Sequence, residues 1–490
     1  MVFSILATPI IVLNLGVKDY GVYIFINSVV GIIGLLDLGI STAVTKYLLE
    51  YQAQKNEEGS KRLVHTANSL FLLIGILGLL ISLFIGIAGG ALFPNKITDA
   101  SYFFILFSLA GVNFLFGSIS NIYNIIPTVM HRFDILVKTN LVLNTTNIIV
   151  NIVIVLLGYK LKMFLLCQVL MTIAFMLIKR RVALKILPIV KYKFALIKEE
   201  IVRCYKFGLA TAINNTASVS LALLDRLIIP IFVGPSQLTY YSLPGNIPAR
   251  IPAITDNLSG IIFPVSTSLK SAGNEEKLKR FYIRSVRLMF LISSAITLSI
   301  IFLSDKILRY WLNADFADKS THILIILAVT NFIISLLSPI TSFFMGIGKL
   351  KRLSLVSFSM AAINAILLLI LLPRYGITGA AWAFLISILP IFYALYLIEN
   401  KYLHLEKRLS YYIGAVLKMI ATGLALLVIV RLVIYPAITN FPTLFILGPI
   451  TVCIYFALYF AFGFFEEEDL VDFKKFLVLI VNKFPLRKMK

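Results

Sequence analysis

The chain has 490 residues, 59% of them hydrophobic, with a mean hydropathy of +0.94 and a formal net charge of +22. Soluble domains are nearer about 45–50% apolar, which argues against a soluble protein. The charge does not indicate nucleic acid: the basic residues fall in alternate loops, as the positive-inside rule requires, and those loops lack the signals of a nucleic-acid module.

Apolar runs of about 20 residues recur along the chain and predict about 14 membrane helices. The predicted spans lie near 1–15, 21–44, 66–90, 102–126, 136–157, 163–178, 207–232, 238–266, 283–303, 322–346, 353–372, 377–398, 411–431 and 443–464. The expected fold is all-α and integral to the membrane. With the N-terminus inside, the inside loops and tail collect about 34 of the 45 Lys and Arg residues. Both ends are therefore expected in the cytoplasm. No cleavable signal peptide pattern is read, so the first helix is expected to stay in the protein.

Asp37 closes the second span in GIIGLLDLGIS, between Gly34 and Gly39. A carboxylate there can cap a neighbouring helix or bind a coupling cation or proton. The fifth span carries Asn140, Asn144, Asn147 and Asn151 at helical spacing, and the seventh carries Asn214 and Asn215. Such amides either bond helix to helix or form a polar wall suited to sugar hydroxyls. The stretch 221–268 holds Asp225, Arg226, Arg250 and Asp256 inside two apolar spans. Each costs about 2.5–3.5 kcal/mol at the middle of a membrane helix. Pro244, Pro248 and Pro252 also break the second of these spans, since each removes a backbone donor. Broken helices with buried charge mark the substrate path of many transporters. The plainer alternative is interhelical ion pairs and a proline-bent helix.

An internal repeat is expected at a shift of 221, which places Pro9 on Pro230, Tyr20 on Tyr241 and Gly39 on Gly260. Six spans per repeat make the halves parallel. The expected organisation is an N-lobe over 1–185 (helices 1–6, helix 1 truncated), a C-lobe over 200–400 (helices 7–12) and two further helices over 410–465. A cytoplasmic amphipathic tail over 466–490 follows. By the repeat, the first span lacks about its first 15–20 residues and barely crosses a core about 30 Å thick.

Three scattered cysteines and four histidines show no metal spacing or disulfide framework. No Walker A, GxSxG or HExxH pattern is present, and no cofactor or enzyme activity is expected. The segments 9–44, 223–243 (LLDRLIIPIFVGPSQLTYYSL) and 371–387 (LLPRYGITGAAWAFLIS) together resemble the bacterial polysaccharide transporter family. That family includes the O-antigen flippases and belongs to the multidrug/oligosaccharidyl-lipid/polysaccharide exporter superfamily.

The resemblance implies two helical lobes around a cavity and alternating access. The implied substrate is an oligosaccharide on undecaprenyl diphosphate, moved from the cytoplasmic to the outer leaflet of the plasma membrane for surface polysaccharide. Candidate substrate contacts are Arg226, Arg250, Asn144, Asn147, Asn214 and Asn215. Candidate coupling groups for H+ or Na+ are Asp37, Asp225 and Asp256. A polysaccharide polymerase and chain-length machinery are candidate partners. A drug/cation antiporter, a peptidoglycan-precursor flippase and a membrane polymerase stay open as alternatives.

Overall fold

The structure, a computed structural model, describes residues 2–92, 100–188, 193–260, 262–347, 350–405 and 408–465. Among these the chain is helical, with no strand. The helices are α1 (Val2–Leu15), α2 (Val17–Ile33), α3 (Ile40–Ala53), α4 (Glu57–Leu92), α5 (Ala100–Val129), α6 (Phe133–Leu156) and α7 (Leu161–Ile186). They continue with α8 (Lys198–Val233), α9 (Pro235–Gly245), α10 (Arg250–Ser259), α11 (Ile262–Ser271), α12 (Glu275–Trp311), α13 (Ala314–Ser335) and α14 (Leu337–Gly346). The last are α15 (Leu350–Ser387), α16 (Pro390–Tyr396), α17 (Arg408–Ile429), α18 (Tyr435–Ala437) and α19 (Phe441–Ala461).

Ten helical stretches among the described residues are long and apolar enough to cross a membrane. The stretch 354–402 doubles back at Gly376, whose φ of 58° and ψ of −147° interrupt α15, so it makes two passes. That makes eleven; α1, α8 and the broken run α9–α11 bring the total to 14, the number the apolar runs predict. The expected tail over 466–490 lies outside the described residues.

Several predicted spans are interrupted, and two of these breaks shape the site. The second span becomes α2, a 3-10 turn over Gly34–Asp37, and α3, because Leu38 (φ 44°) and Gly39 (φ 75°) are left-handed. The eighth becomes α9, α10 and α11, with turns over 246–249 and at Gly260. Pro248 within the first of these turns has no N–H to continue the ladder.

The repeat is real but its register is 218, not 221. Gly16 (φ 94°, ψ 148°) between α1 and α2 has the conformation of Gly234 (φ 97°, ψ 160°) between α8 and α9. Their N–H groups bond to the carbonyls of Val12 and Pro230, also 218 apart. Lys55 (φ 53°) matches Gly273 (φ 66°), and Gly158 (φ 82°) matches Gly376 (φ 58°). The Asn56 side chain accepts from Gly59 N–H at 2.8 Å, and that of Asn274 from Lys277 N–H at 3.2 Å. Each opens a long helix with two glutamates, Glu57–Glu58 and Glu275–Glu276, which suit the positive end of the helix dipole. The 221 shift rests on a few Pro, Tyr and Gly coincidences, most of them inside helices; the turns, which admit few residues, carry the register.

The chain divides into two compact units, Met1–Pro244 with Lys351–Pro390, and Gly245–Leu350 with Ile391–Lys490. These boundaries differ from those expected for the lobes. In the first unit α4 packs along α5 and α5 along α7, while α8 lies against α2 and α3. Ile40, Val44, Leu48, Leu63, Ile122 and Ile126 form its fully buried core. A polar clasp ties α8 to α3. Tyr51 O–H donates to Glu200 Oε1 at 2.8 Å, and Arg203 donates to Tyr51 Oη at 2.8 Å and to Glu50 at 3.0 Å. Burial, and then the Glu200 charge, push the neighbouring Cys204 thiol up to about 11.

In the second unit α12 packs against α13 and α19, around Ala295, Leu426, Val430 and Tyr455. Glu399, buried in a π-turn over Leu397–Tyr402, accepts hydrogen bonds from Tyr282 and Tyr412.

Three outcomes follow from this geometry. Gly16→Ala forces a side chain into a backbone region that only glycine occupies freely, and should lower stability by about 1–3 kcal/mol in detergent thermal unfolding. Gly117→Ala, mid-helix with open space around it, should instead raise stability by a few tenths to about 1 kcal/mol. In a Cys167→Ser/Cys453→Ser background, Cys204 should react with maleimide at pH 8 about a hundredfold more slowly than an ordinary thiol, because only the thiolate attacks.

Candidate functional site

The charges of the 221–268 stretch are not gathered in one place; each sits where a helix is broken or closely approached. Arg226 lies seven residues before the end of α8, about 12 Å along the axis from Gly234 at 1.5 Å per residue. One close contact positions α8 against α2, and a second positions α9 against it. A Cβ on Gly31 would lie 2.8 Å from Leu223 Cδ1, and one on Gly21 would lie 1.9 Å from the Pro235 carbonyl oxygen. Only small residues let the helices come this close. Thr239 Oγ1 donates to the Val17 carbonyl at 2.7 Å and ties α9 to the start of α2.

Asp225 and Arg226 are adjacent, so their side chains leave α8 in different directions. Asp225 is buried, 5% exposed, and accepts a hydrogen bond from the buried Tyr241 hydroxyl on α9. Its other oxygen has no hydrogen-bond partner, although the buried Asn364 of α15 lies beside it. Arg226 is partly exposed, and its positive charge acts on Asp225, Tyr241 and Tyr20. The pair therefore places a buried carboxylate, held by a phenol, beside a partly exposed guanidinium. Tyr20 is itself stacked obliquely on Tyr23, ring centres 5.7 Å apart.

Asp37 occupies the break after α2. It accepts from the Ser41 N–H at 3.2 Å and the Ser41 hydroxyl at 3.0 Å. It thus satisfies an orphan donor of α3's first turn, as a helix cap does. Arg250 is exposed and is the first residue of α10. Its charge adds to the positive end of that helix. Asp256, exposed on α10, accepts from the Ser338 hydroxyl of α14, and Thr255 is 3.2 Å from the same hydroxyl.

The asparagines divide. Asn151 is buried and donates to Asn147 Oδ1 at 2.8 Å. Asn144, one turn earlier, is exposed. Asn214 and Asn215 lie on α8 with side chains outside the described residues. Among the described residues no group of three His, Cys, Asp or Glu could hold a metal ion. Tyr241 and Asn364 join the site only in three dimensions.

The model of the family described as "Polysaccharide biosynthesis protein" matches residues 14–321, more than half of the chain. The chain belongs to that family. A Shigella flexneri protein named as an O-antigen transporter is 25% identical over 187 residues, 38% of this chain and 44% of that protein. The match thus spans less than half of that relative's length. The fold is that of the MATE and MurJ transporters. An inward-facing multidrug resistance MATE transporter of the MOP superfamily has a TM-score of 0.69 at 14% identity, over 81% of this chain and 93% of that one. The lipid II flippase MurJ, in an inward closed conformation, has a TM-score of 0.68 at 16% identity, over 96% of this chain and 99% of that one. These named relatives are transporters and flippases, not enzymes, and this family member is a multi-pass membrane protein.

Removing the Tyr241 hydroxyl strips Asp225 of its donor. Tyr241→Phe should therefore cost about 1–3 kcal/mol in thermal unfolding. Tyr241→Phe/Asp225→Leu, which removes both polar partners, should recover most of that loss.

Proposed function

We propose that this protein is a flippase for a lipid-linked oligosaccharide. In this reading it carries an undecaprenyl-diphosphate glycan from the cytoplasmic to the outer leaflet of the plasma membrane by alternating access between two lobes. It serves surface polysaccharide assembly, with both termini cytoplasmic and a polymerase and chain-length machinery as downstream partners. The observation that carries the reading is Arg226, a partly exposed guanidinium beside the buried Asp225 in an apolar helix of a polysaccharide biosynthesis family member. A diphosphate cannot cross hydrocarbon unaided. A planar guanidinium meets it with charge-assisted, bidentate hydrogen bonds. Arg250 is the second proposed anion contact, supported by its exposure at a helix N-terminus, where anions are favoured.

Asn144 and Asn147, with Asn214 and Asn215, are proposed to offer amides to sugar hydroxyls. Asp225 is the proposed coupling group for H+ or Na+, because its second oxygen is free to take a proton or an ion. Asp37 and Asp256 are weaker candidates for that role, since each already accepts from a hydroxyl of its own surroundings.

The test is depletion in the native host followed by leaflet-resolved extraction of lipid-linked glycans. An undecaprenyl-diphosphate oligosaccharide should build up on the cytoplasmic side, with loss of surface polymer. Arg226→Gln should reproduce the build-up, lowering flux at least about tenfold, the scale of a lost charge-assisted contact, and Arg226→Lys should restore part of it. A normal leaflet distribution with new sensitivity to cationic dyes would assign the protein to drug export. Accumulation of lipid II would assign it to peptidoglycan precursors. Single repeat units stranded on the outer leaflet would mean that polymerisation, not transport, had been lost.

A further inference from the structure

One face of α2 is left open by its neighbours. Tyr20 and Tyr23 are partly exposed along it and Asn27 is exposed, and the stripe continues at the partly exposed Gly34 of the following turn, at steps of three, four and seven residues. Gly21, Val22, Ile24, Phe25, Ser28 and Val29 are buried on the remaining sides. A lipid-facing stripe would be apolar; this one carries rings, an amide and bare backbone.

The rings are held from behind. Phe164 of α7, 1% exposed, meets Tyr23 edge-on at 5.3 Å and 88°. Gln168, one turn further along α7, donates from Nε2 to the Tyr23 hydroxyl at 3.0 Å. Because that hydroxyl accepts, its own hydrogen points elsewhere. Asn27 Nδ2 donates to the Tyr23 carbonyl at 2.8 Å, which fixes the amide and leaves its Oδ1 as an acceptor. Past Asn27 the stripe opens out: a Cβ on Gly34 would meet nothing within 4 Å. The Arg226 charge reaches this wall at Tyr20.

A pyranose presents an apolar C–H face and a rim of hydroxyls. Aromatic faces beside fixed amides match both. We propose that Tyr20, Tyr23, Asn27 and Gln168 form a glycan platform, on which the tyrosine faces take a sugar ring and the amides and the Tyr23 hydroxyl take its hydroxyls. The inference rests on the flippase reading and adds to it the part of the wall that recognises sugar rather than diphosphate.

The test uses the full chain in lipid nanodiscs and two kinds of probe. One is farnesyl diphosphate; the others are farnesyl diphosphates carrying glucose, galactose or N-acetylglucosamine. Wild type should bind at least one sugar-bearing probe about fivefold or more tighter than bare farnesyl diphosphate. Tyr20→Ala and Tyr23→Ala should erase that preference and leave farnesyl diphosphate binding unchanged, while Tyr20→Phe keeps it. Gly34→Leu, which enters open space and spares the packed rings, should weaken the sugar-bearing probes alone. Arg226→Gln should weaken all probes. The platform is overturned if wild type shows no sugar preference, if the preference survives both alanine variants, or if those variants weaken bare farnesyl diphosphate equally. In each of those cases the anion site stands. If no probe binds wild type, the flippase reading falls and takes the platform with it.

Discussion

A charge inside a membrane protein must be paired or watered, and the arrangement around α8 follows from that constraint. Asp225 meets it by taking the Tyr241 hydroxyl across the Gly234 turn. That bond sets how α9 folds back on α8, and Thr239, two residues away, fastens α9 to α2. With Asp225 turned inward, Arg226 must leave the helix on another side. The ordering of one carboxylate thus sends one guanidinium to another face of the helix, where it is partly exposed.

The other intramembrane charges fall at discontinuities. Asp37 ends the turn between α2 and α3, Arg250 starts α10 after the proline break, and Asp256 stands four residues before the next break at Gly260. Broken helices expose N–H and C=O groups that need partners. A polar side chain at a break can satisfy such a group and also reach beyond the helix. Asp37 does the first. Arg250, a donor only, cannot cap the N–H groups of α10.

The carboxylates Glu200 and Glu399 obey the same rule in different places. Each is buried and each accepts from tyrosine, Glu200 from Tyr51 and Glu399 from Tyr282 and Tyr412. Neither stood out in the sequence, because each lies near the end of an apolar run, where a glutamate reads as a loop residue. Partners 149 and 117 residues away made them buried.

By itself the sequence determined the class of the protein, the number of passes and the presence of a repeat. Hydropathy does this because lipid tolerates only helices whose backbone groups are satisfied internally. It also singled out Asp225 and Arg226, since charge in an apolar run is costly wherever the run folds. It misjudged the repeat register, because single Pro, Tyr and Gly coincidences do not fix the pairing of helices, while the 218-residue offset is written in turns such as Gly16 and Gly234. Only the tertiary structure decided which charges are held and which are offered. It turned Asp225 toward Tyr241, made Asp37 a cap, left Asn144 exposed, and set Tyr20, Tyr23, Asn27 and Gln168 on one wall. Those outcomes depend on contacts between residues far apart in the chain, and helical periodicity says nothing about which neighbour a face will meet.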